Sequence, residues 1–282
     1  MIPSNQPEYL CIGHLTIDKT SAGDKIGGTA AYASLTAQAM GLDTALYTTY
    51  TKSQLPSFFS TIQSKVQIET SLMTFENIYH EEKRTQHLLH TCNPLQLGGI
   101  PAQWSDTPII HFGPIFHDIA PESVSHFPNA FIGMTPQGWL RTVEGQIVRP
   151  IPWGWLRDYL PHADAVVISV EDVGYDEDAI QTMASISKIL AVTEGFYGAR
   201  IYHDGTMYRC HAPELTELDP TGAGDIFATI FFIMLQRGTS PHIAGQIATR
   251  LASFSVLRRG LESIPTAYEI DQALAQLTQA RN

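Results

Sequence analysis

Short apolar runs alternate along this chain with longer segments of helical periodicity, and this alternation limits the fold more than any other feature of the sequence. The helical patterns cover residues 28–40, 176–188, 226–236, 241–257 and 267–280, and the apolar runs cover residues 9–12, 44–49, 108–111, 130–134, 165–169 and 189–193. Buried parallel strands have this short, apolar character, and the helices that follow them complete strand–helix–strand units. The alternation therefore predicts an α/β fold with a mostly parallel central sheet.

Two segments interrupt the alternation. Residues 15–25 and about 66–92 are polar, mixed and rich in threonine and aromatic residues, without helical periodicity. Because such side chains favour strands, we expect both segments to pair as a small β lid beside the main domain. Residues 199–210 predict a hairpin that turns at Asp204-Gly205. No linker or repeat divides the chain, so we expect one domain over residues 1–282.

The charge balance excludes several classes of function. The 282 residues include 17 basic and 28 acidic side chains, which gives a net charge of −11, and the longest basic cluster is Arg258-Arg259. Binding to nucleic-acid phosphates needs clustered cations, so we expect no nucleic-acid partner. The chain has no apolar run of about 18 residues and its start lacks a signal-peptide pattern, which predicts a cytoplasmic protein without membrane contact.

The segment Asp219-Pro220-Thr221-Gly222-Ala223-Gly224-Asp225 carries the strongest chemical signal. Its two glycines, two positions apart, let the chain turn tightly and bring backbone N–H groups close to a ligand. A helical pattern begins directly afterwards, and the free N–H groups of a helix start form an anion site without any lysine. The segment therefore predicts a phosphate cradle in an acidic protein.

Asp225 has three interpretations at this point. A carboxylate in the first turn of a helix stabilises the helix dipole, which needs no catalytic role. The loop is then either a capped helix start or a plain anion site. In the third interpretation, the same carboxylate faces a bound phosphate and accepts the proton of an attacking hydroxyl group, as phosphorylation of an alcohol requires.

The same segment resembles the C-terminal signature Asp-Thr-Thr-Gly-Ala-Gly-Asp of the ribokinase-like (PfkB) carbohydrate kinases, with Pro220 in place of a threonine. Gly27-Gly28 before an alanine-rich helix is similar to the N-terminal signature of that family. Val192-Thr193-Glu194-Gly195, followed by Gly198-Ala199, is similar to its segment near the nucleotide. These pieces keep the family's order from about Tyr9 to about Gly260. The resemblance implies a three-layer α/β/α sandwich with a mostly parallel central sheet and a small β lid.

The resemblance also implies an ATP- and Mg²⁺-dependent carbohydrate kinase that phosphorylates a hydroxyl group of a small sugar, cyclitol or nucleoside. Asp225 would be the general base, and Gly222, Ala223 and Gly224 would donate N–H groups to the transferred phosphoryl group. The implied contacts are as follows: Asp18, Gly27, Gly28 and Tyr32, with Arg84 from the lid, for the acceptor; Thr193, Gly195, Gly198, Ala248 and Ala252 for the nucleotide; Asp172 and Glu171 for Mg²⁺, indirectly; Asp219 and Thr221 for a monovalent cation such as K⁺.

The sequence departs from the family pattern at two positions. Ser169-Val170-Glu171-Asp172 stands where the family often has Asn-x-x-Glu, so the asparagine is lost and a carboxylate is kept. Tyr32 stands where a sugar-contacting asparagine is often found, which indicates a different acceptor or a smaller pocket. Residues 133–141 match a subset of the family that includes inositol-kinase-like members.

Two other functions compete with a sugar or cyclitol kinase. A catalytically idle binding protein on the same fold is favoured by Ser169 and Tyr32 and opposed by the intact Asp225. A kinase for a heterocyclic alcohol is opposed by the long lid segments. The exposed face of such a lid would also be able to pair with a second copy, which predicts a homodimer.

Overall fold

The computed structural model of the chain describes residues 6–20, 23–52, 54–80 and 83–279. Within these residues, fifteen strands form two sheets, and five α-helices and several short 3₁₀ turns surround them. No helix in the described ranges has the length and the apolar character needed to cross a membrane.

The larger sheet has nine strands and forms the centre of the molecule. Its strands are β1 (Tyr9–Ile12), β4 (Thr44–Tyr50), β5 (Gln63–Ile68), β8 (Ile109–Phe112), β9 (Phe131–Met134), β12 (Ala165–Ser169), β13 (Ile189–Thr193), β14 (Ala199–His203) and β15 (Thr206–Cys210). The spatial order is β15-β14-β13-β12-β9-β8-β1-β4-β5. All neighbours pair in parallel except at one edge, where β14 pairs antiparallel with both β13 and β15. The predicted hairpin at Asp204-Gly205 is therefore confirmed.

Helices cover both faces of the larger sheet. They are α1 (Thr29–Ala39), α2 (Glu177–Ile186), α3 (Ala223–Gln236), α4 (Pro241–Ser255) and α5 (Ala267–Gln279). Because side chains alternate between the faces of a strand, Tyr9 and Cys11 enter the core under α1, α3, α4 and α5, whereas Leu10 and Ile12 enter the core on the side of α2 and the 3₁₀ turns. The predicted three-layer α/β/α sandwich is confirmed.

Helix α3 begins three residues earlier than its apolar pattern predicts. Ala223, Gly224 and Asp225 contribute no large apolar side chain, so hydrophobic periodicity alone does not detect this turn. The N–H group of Ile226 already donates to the carbonyl oxygen of Gly222 at 2.9 Å. The glycine segment and Asp225 are therefore part of the helix start itself.

The smaller sheet lies beside the first one. Its strands are β2 (Thr16–Thr20), β3 (Gly23–Gly27), β6 (Met73–His80), β7 (Lys83–His90), β10 (Arg141–Glu144) and β11 (Ile147–Pro150), in the spatial order β10-β11-β7-β6-β2-β3. Strands β2 and β6 are parallel, and the other neighbours are antiparallel. Met73, Phe75 and Leu88 pack against Ile115, which lies in the loop after β8.

Two boundaries of this second sheet differ from the expectation. Residues 66–68 belong to β5, which pairs with β4 at the edge of the larger sheet. An edge strand faces solvent on one side and tolerates polar residues, so β5 lacks the apolar run of its neighbours and is read as lid from sequence alone. The hairpin of β10 and β11, which turns at Gly145-Gln146, adds two strands to the second sheet that the sequence did not predict.

Candidate active site

Helices α1 and α3 begin close together beyond the end of β8. Each has a glycine N-cap with a positive φ angle, 86° at Gly28 and 82° at Gly222, and neither start has a side-chain cap. A Cβ at Gly113, which directly follows β8, would collide with the Thr29 side chain at the start of α1. Helix starts without side-chain caps leave backbone N–H groups available to a ligand, so the two helices direct such groups toward one region.

Tyr32 lies directly beneath the glycine loop. A Cβ at Gly222 would collide with the Tyr32 ring, and the Tyr32 side chain is only 2% exposed. Burial raises the pKa of the Tyr32 phenol, and the charges of Asp18, Asp225 and Asp219 raise it further. Tyr32 is therefore an uncharged side chain that packs beneath the loop and is affected by the charges of three carboxylates.

The N–H groups of the glycine loop are not equivalent. The N–H group of Ala223 donates to the carbonyl oxygen of Pro220 at 3.1 Å, because the chain makes a tight turn before α3. The Ala223 N–H group therefore has a protein acceptor, and its expected contact with the phosphoryl group stays a prediction. Within the described parts of the chain, the N–H groups of Gly222 and Gly224 donate to no protein acceptor, and the surroundings of Gly224 are open.

Asp225 lies in the first turn of α3, partly buried. Its Oδ1 atom accepts a hydrogen bond from the Thr29 hydroxyl at 2.7 Å. Burial raises the pKa of the Asp225 carboxyl to about 6, against the lowering effects of the Thr29 hydrogen bond and the Arg141 charge, while Asp172 and Asp18 raise it. A carboxyl with a pKa just below neutrality is ionised at pH 7 and is still basic enough to accept a proton, as a general base must.

Asp18 brings a second carboxylate to the same place. It lies on β2 in register with Lys25 of β3, and a Cβ at Gly27 would collide with Asp18 Oδ2. Its charge acts on both Asp225 and Tyr32. The structure thus brings Asp18, Gly27, Gly28, Tyr32, Gly222, Gly224 and Asp225 together.

Asp172 is held in place by local hydrogen bonds. Its Oδ1 accepts from Gln137 Nε2 at 2.9 Å, and its Oδ2 accepts from the Ser169 N–H group at 2.8 Å. Each carboxylate oxygen keeps a further lone pair, while Glu171 is exposed. Within the described ranges, no group of three His, Cys, Asp or Glu side chains is placed to hold a metal ion. These residues therefore fit an Mg²⁺ ion carried by phosphates and contacted through water, and not a protein cage.

Asp219 ties two loops together. Its Oδ1 accepts from the Thr221 N–H group at 3.0 Å, and its Oδ2 accepts from the Gly260 N–H group at 3.1 Å. Burial raises the pKa of the Asp219 carboxyl, but the hydrogen bonds from Thr221 and Gly260 and the charge of Lys25 outweigh it, so the pKa is lowered. An ionised carboxylate with spare lone pairs fits a monovalent cation. In the structure, the Asp219 carboxylate holds the turn at residue 260 through the bond from the Gly260 N–H group.

The residues expected near the nucleotide are placed less uniformly. The Thr193 hydroxyl donates to the carbonyl oxygen of Ile168, and Gly195 and Gly198 have φ angles of 57° and 93°. Ala252 on α4 is partly exposed, whereas Ala248 is wholly buried in the core. The burial of Ala248 separates it from Ala252, and the place of both residues near the nucleotide stays a prediction.

The loop between β13 and β14 is braced by ion pairs. The Glu194 carboxylate forms an ion pair with Arg200, with 2.8 Å between Oε1 and Nε, and it also accepts a hydrogen bond from Arg209. The Glu194 N–H group donates to the carbonyl oxygen of Gly198. Arg200 is also paired with Glu177 of α2 at 2.7 Å. This bracing fixes the loop that carries Gly195 and Gly198. Arg84 lies on β7, and its side chain falls outside what the structure describes.

The comparisons with known proteins agree with this geometry. Residues 158–267 match the family model described as pfkB family carbohydrate kinase. The matched range includes the glycine loop, Asp225 and the braced loop after β13. Residues 158–267 are therefore similar to the pfkB carbohydrate kinases, and the fold of the whole chain is ribokinase-like. No curated protein sequence matches the ribokinase-like chain closely enough to serve as a relative.

Solved structures show how widely the fold of the ribokinase-like chain is shared. A pyrophosphate-dependent kinase in the ribokinase family, complexed with a pyrophosphate analog and myo-inositol, has 16% identity and a TM-score of 0.79, and the match covers 94% of this chain and 99% of that one. Ribokinase from Thermotoga maritima has 15% identity and a TM-score of 0.73, with coverage of 95% and 99%. Arabidopsis thaliana ribokinase, complexed with ribose and ATP, has 13% identity and a TM-score of 0.69, with coverage of 96% and 99%.

Three residues of the candidate site were not predicted from the sequence. Thr29 donates to Asp225, Arg141 exerts its charge on Asp225, and Gln137 donates to Asp172. Gln137 and Arg141 lie in the segment 133–141 that resembles the inositol-kinase-like subset, which was a usable signal. For Thr29, the only sequence signal of a place in the site was its position directly after Gly27-Gly28.

Proposed function

We propose that this chain is a phosphotransferase that moves the γ-phosphoryl group of ATP to a hydroxyl group of a small sugar, cyclitol or nucleoside. The observation that carries the proposal is the position of Asp225, a carboxyl with a pKa near 6. It directly follows a glycine loop in which the Gly222 and Gly224 N–H groups donate to no acceptor among the described residues. A base beside an anion site is the combination that phosphorylation of an alcohol needs.

In the proposed reaction, Asp225 accepts the proton of the acceptor hydroxyl as its oxygen attacks the γ-phosphorus. The new O–P bond forms while the bond between the γ-phosphorus and the bridging oxygen breaks, and ADP leaves. The N–H groups of Gly222 and Gly224 stabilise the charge of the transferred group, and the positive charge of Arg141 favours the ionised form of Asp225.

ATP and Mg²⁺ are the proposed donor and metal. When bound, Mg²⁺ neutralises charge on the phosphates, and Asp172 and Glu171 would contact it through water. The loop with Thr193, Gly195 and Gly198, together with Ala252, would bound the nucleotide. Asp219 and Thr221 would hold K⁺. Because ATP is available inside the cell, we propose a cytoplasmic enzyme.

The acceptor site is proposed between Asp18, Gly27, Gly28 and Tyr32. Asp18 would accept hydrogen bonds from two hydroxyl groups of the acceptor, which favours a compound with several adjacent hydroxyl groups. The second sheet would act as the lid, with Arg84 as a further contact and its outer face as the surface for a homodimer. Its six strands make a larger cover than a small heterocyclic alcohol would need.

A second candidate concerns the donor. A solved structure with a TM-score of 0.79 belongs to a pyrophosphate-dependent kinase, whereas the ribokinase complexed with ribose and ATP has a TM-score of 0.69. This likeness favours pyrophosphate as an alternative donor. The acceptor chemistry proposed here would be the same for both donors.

The test is a matched screen of donors and acceptors. ATP and pyrophosphate are each combined with ribose, myo-inositol and adenosine, and phosphorylated product is measured directly by mass spectrometry. Transfer to any of these acceptors supports a kinase, and the productive donor decides between the two candidates. Thermal stabilisation by ATP or pyrophosphate without product from a broad polyol panel would instead support the idle binding protein.

A further inference from the structure

Thr29 makes a direct contact with the proposed base. It is the first residue of α1, and its hydroxyl donates to Asp225 Oδ1 at 2.7 Å across the junction with α3. Within the described residues, this is the one hydrogen bond that the Asp225 carboxylate accepts. Oδ2 is therefore the oxygen that remains for a ligand.

The Thr29 side chain is fixed in this direction. It is 6% exposed, and its Cγ2 methyl group packs close to Gly113, where any Cβ would collide with it. A β-branched side chain has few rotamers, so contact at the methyl group also sets the direction of the hydroxyl. Rotation of the hydroxyl away from Asp225 would require Thr29 to leave its packed position.

Thr29 does not cap its own helix. The capping position of α1 is occupied by Gly28, which has no side chain, and Thr29 is the next residue. The Thr29 hydroxyl instead donates to Asp225 at the start of α3.

We propose that Thr29 is a positioning residue for the general base: it holds Asp225 Oδ1, so that Oδ2 receives the proton of the acceptor, and it keeps the carboxylate ionised. This inference rests on the proposed function for the proton transfer, but the effect on ionisation does not. A hydrogen bond to the charged form of a carboxyl favours that form, and this opposes the effect of burial at Asp225.

The experiment compares Thr29→Val with Thr29→Ser. Valine keeps the shape and removes the hydroxyl, whereas serine keeps the hydroxyl. The Asp225 carboxyl carbon is titrated by ¹³C NMR in both variants and in the native protein without substrate, with Asp225→Asn to assign the signal. We expect the pKa of Asp225 to rise by about one unit in Thr29→Val and to stay close to the native value in Thr29→Ser.

A native titration curve in Thr29→Val would overturn the proposal, whether or not the protein phosphorylates any acceptor. If Thr29→Val does not fold, Thr29→Ala removes the same hydroxyl with less demand on packing, and the same rise is required. Once an acceptor is known, kcat of Thr29→Val should require a higher pH while KM for the acceptor changes little, and Thr29→Ser should restore the native pH profile. A uniform loss of kcat at every pH would indicate a structural role only and would also overturn the proposal.

Discussion

The starts of α1 and α3 both have a glycine N-cap with a positive φ angle, but only α3 carries an acidic side chain in its first turn. At α1 the first residue is the buried Thr29, which offers a neutral donor to the other helix. At α3 the loop is exposed around Gly224, and the turn that follows holds Asp225.

The difference separates two tasks within one site. The start of α3 supplies both the N–H groups that suit a phosphate and the charge that suits a proton. The start of α1 supplies no charge, and it fixes the orientation of the carboxylate from the side. An acid at both starts would place two carboxylates in contact, and their repulsion would raise the pKa of at least one of them.

The largest effect is expected when the charge that distinguishes α3 is removed. Asp225→Asn keeps the shape of the side chain and an oxygen for the Thr29 hydroxyl, but it has no basic oxygen. We expect kcat to fall by about 10²- to 10⁴-fold, the usual contribution of a positioned general base, with little change in donor affinity. Steady-state kinetics and calorimetric titration with the donor measure the two quantities.

The matched control for this variant is Asp24→Asn. Asp24 is an exposed acid of the second sheet, paired with Lys19, so the change removes the same formal charge at a distance. Its kcat should remain native. Equal kcat values for Asp225→Asn and the native enzyme would show that the two helix starts do not differ in catalysis.

The next largest effect is a loss of stability when the N-cap glycine that both helix starts share is replaced. Gly222→Ala combines a left-handed φ with a collision against Tyr32, and Gly28→Ala combines one with a close approach to the His14 carbonyl oxygen. We expect each to lower the free energy of unfolding by about 2 to 4 kcal/mol, measured by urea denaturation. Gly224→Ala, which meets open space at an ordinary φ, should change it by less than about 0.5 kcal/mol. If Gly28→Ala left the free energy of unfolding unchanged while Gly222→Ala lowered it, the two helix starts would not share a requirement for glycine.

The smallest effect is a gain in stability with a defined pH dependence. The pKa of Asp225 is near 6 in the folded chain and near 3.8 by itself, so the folded state binds the proton more tightly. Stability is therefore lost as the pH rises from about 4 to about 6, by at most about 3 kcal/mol. Asp225→Asn should thus be more stable than the native protein at pH 7 and no more stable below pH 4. If Asp225 acts only on the helix dipole, the variant would instead lose about 0.3 to 1 kcal/mol at pH 7.

The layers of the fold follow from sequence because buried strands and amphipathic helices have distinct periods. Strands β12 and β13 are short apolar runs bounded by polar residues, and the structure has them at the predicted positions. The apolar pattern does not predict strand β5 or the hairpin of β10 and β11. They lie at edges or in the second sheet, where one face is open to solvent and the apolar pattern is weak.

The site follows from sequence only where a backbone conformation requires a special residue. Gly28 and Gly222 are recognisable because their φ angles favour glycine. The bond from Thr29 to Asp225 joins residues that are 196 positions apart, and no local pattern encodes it. The internal use of the Ala223 N–H group and the burial of Ala248 likewise depend on the folded chain.

The pH dependence of kcat/KM in the native enzyme, measured at low concentrations of donor and acceptor, tests the central claim most directly because it reports the groups of the free enzyme. If Asp225 is the base, kcat/KM must fall on the acid side with an apparent pKa near 6, because the protonated carboxyl cannot accept the hydroxyl proton. A kcat/KM that stays constant from about pH 8 to about pH 5, with the protein folded throughout, would contradict the assignment of Asp225 as the general base.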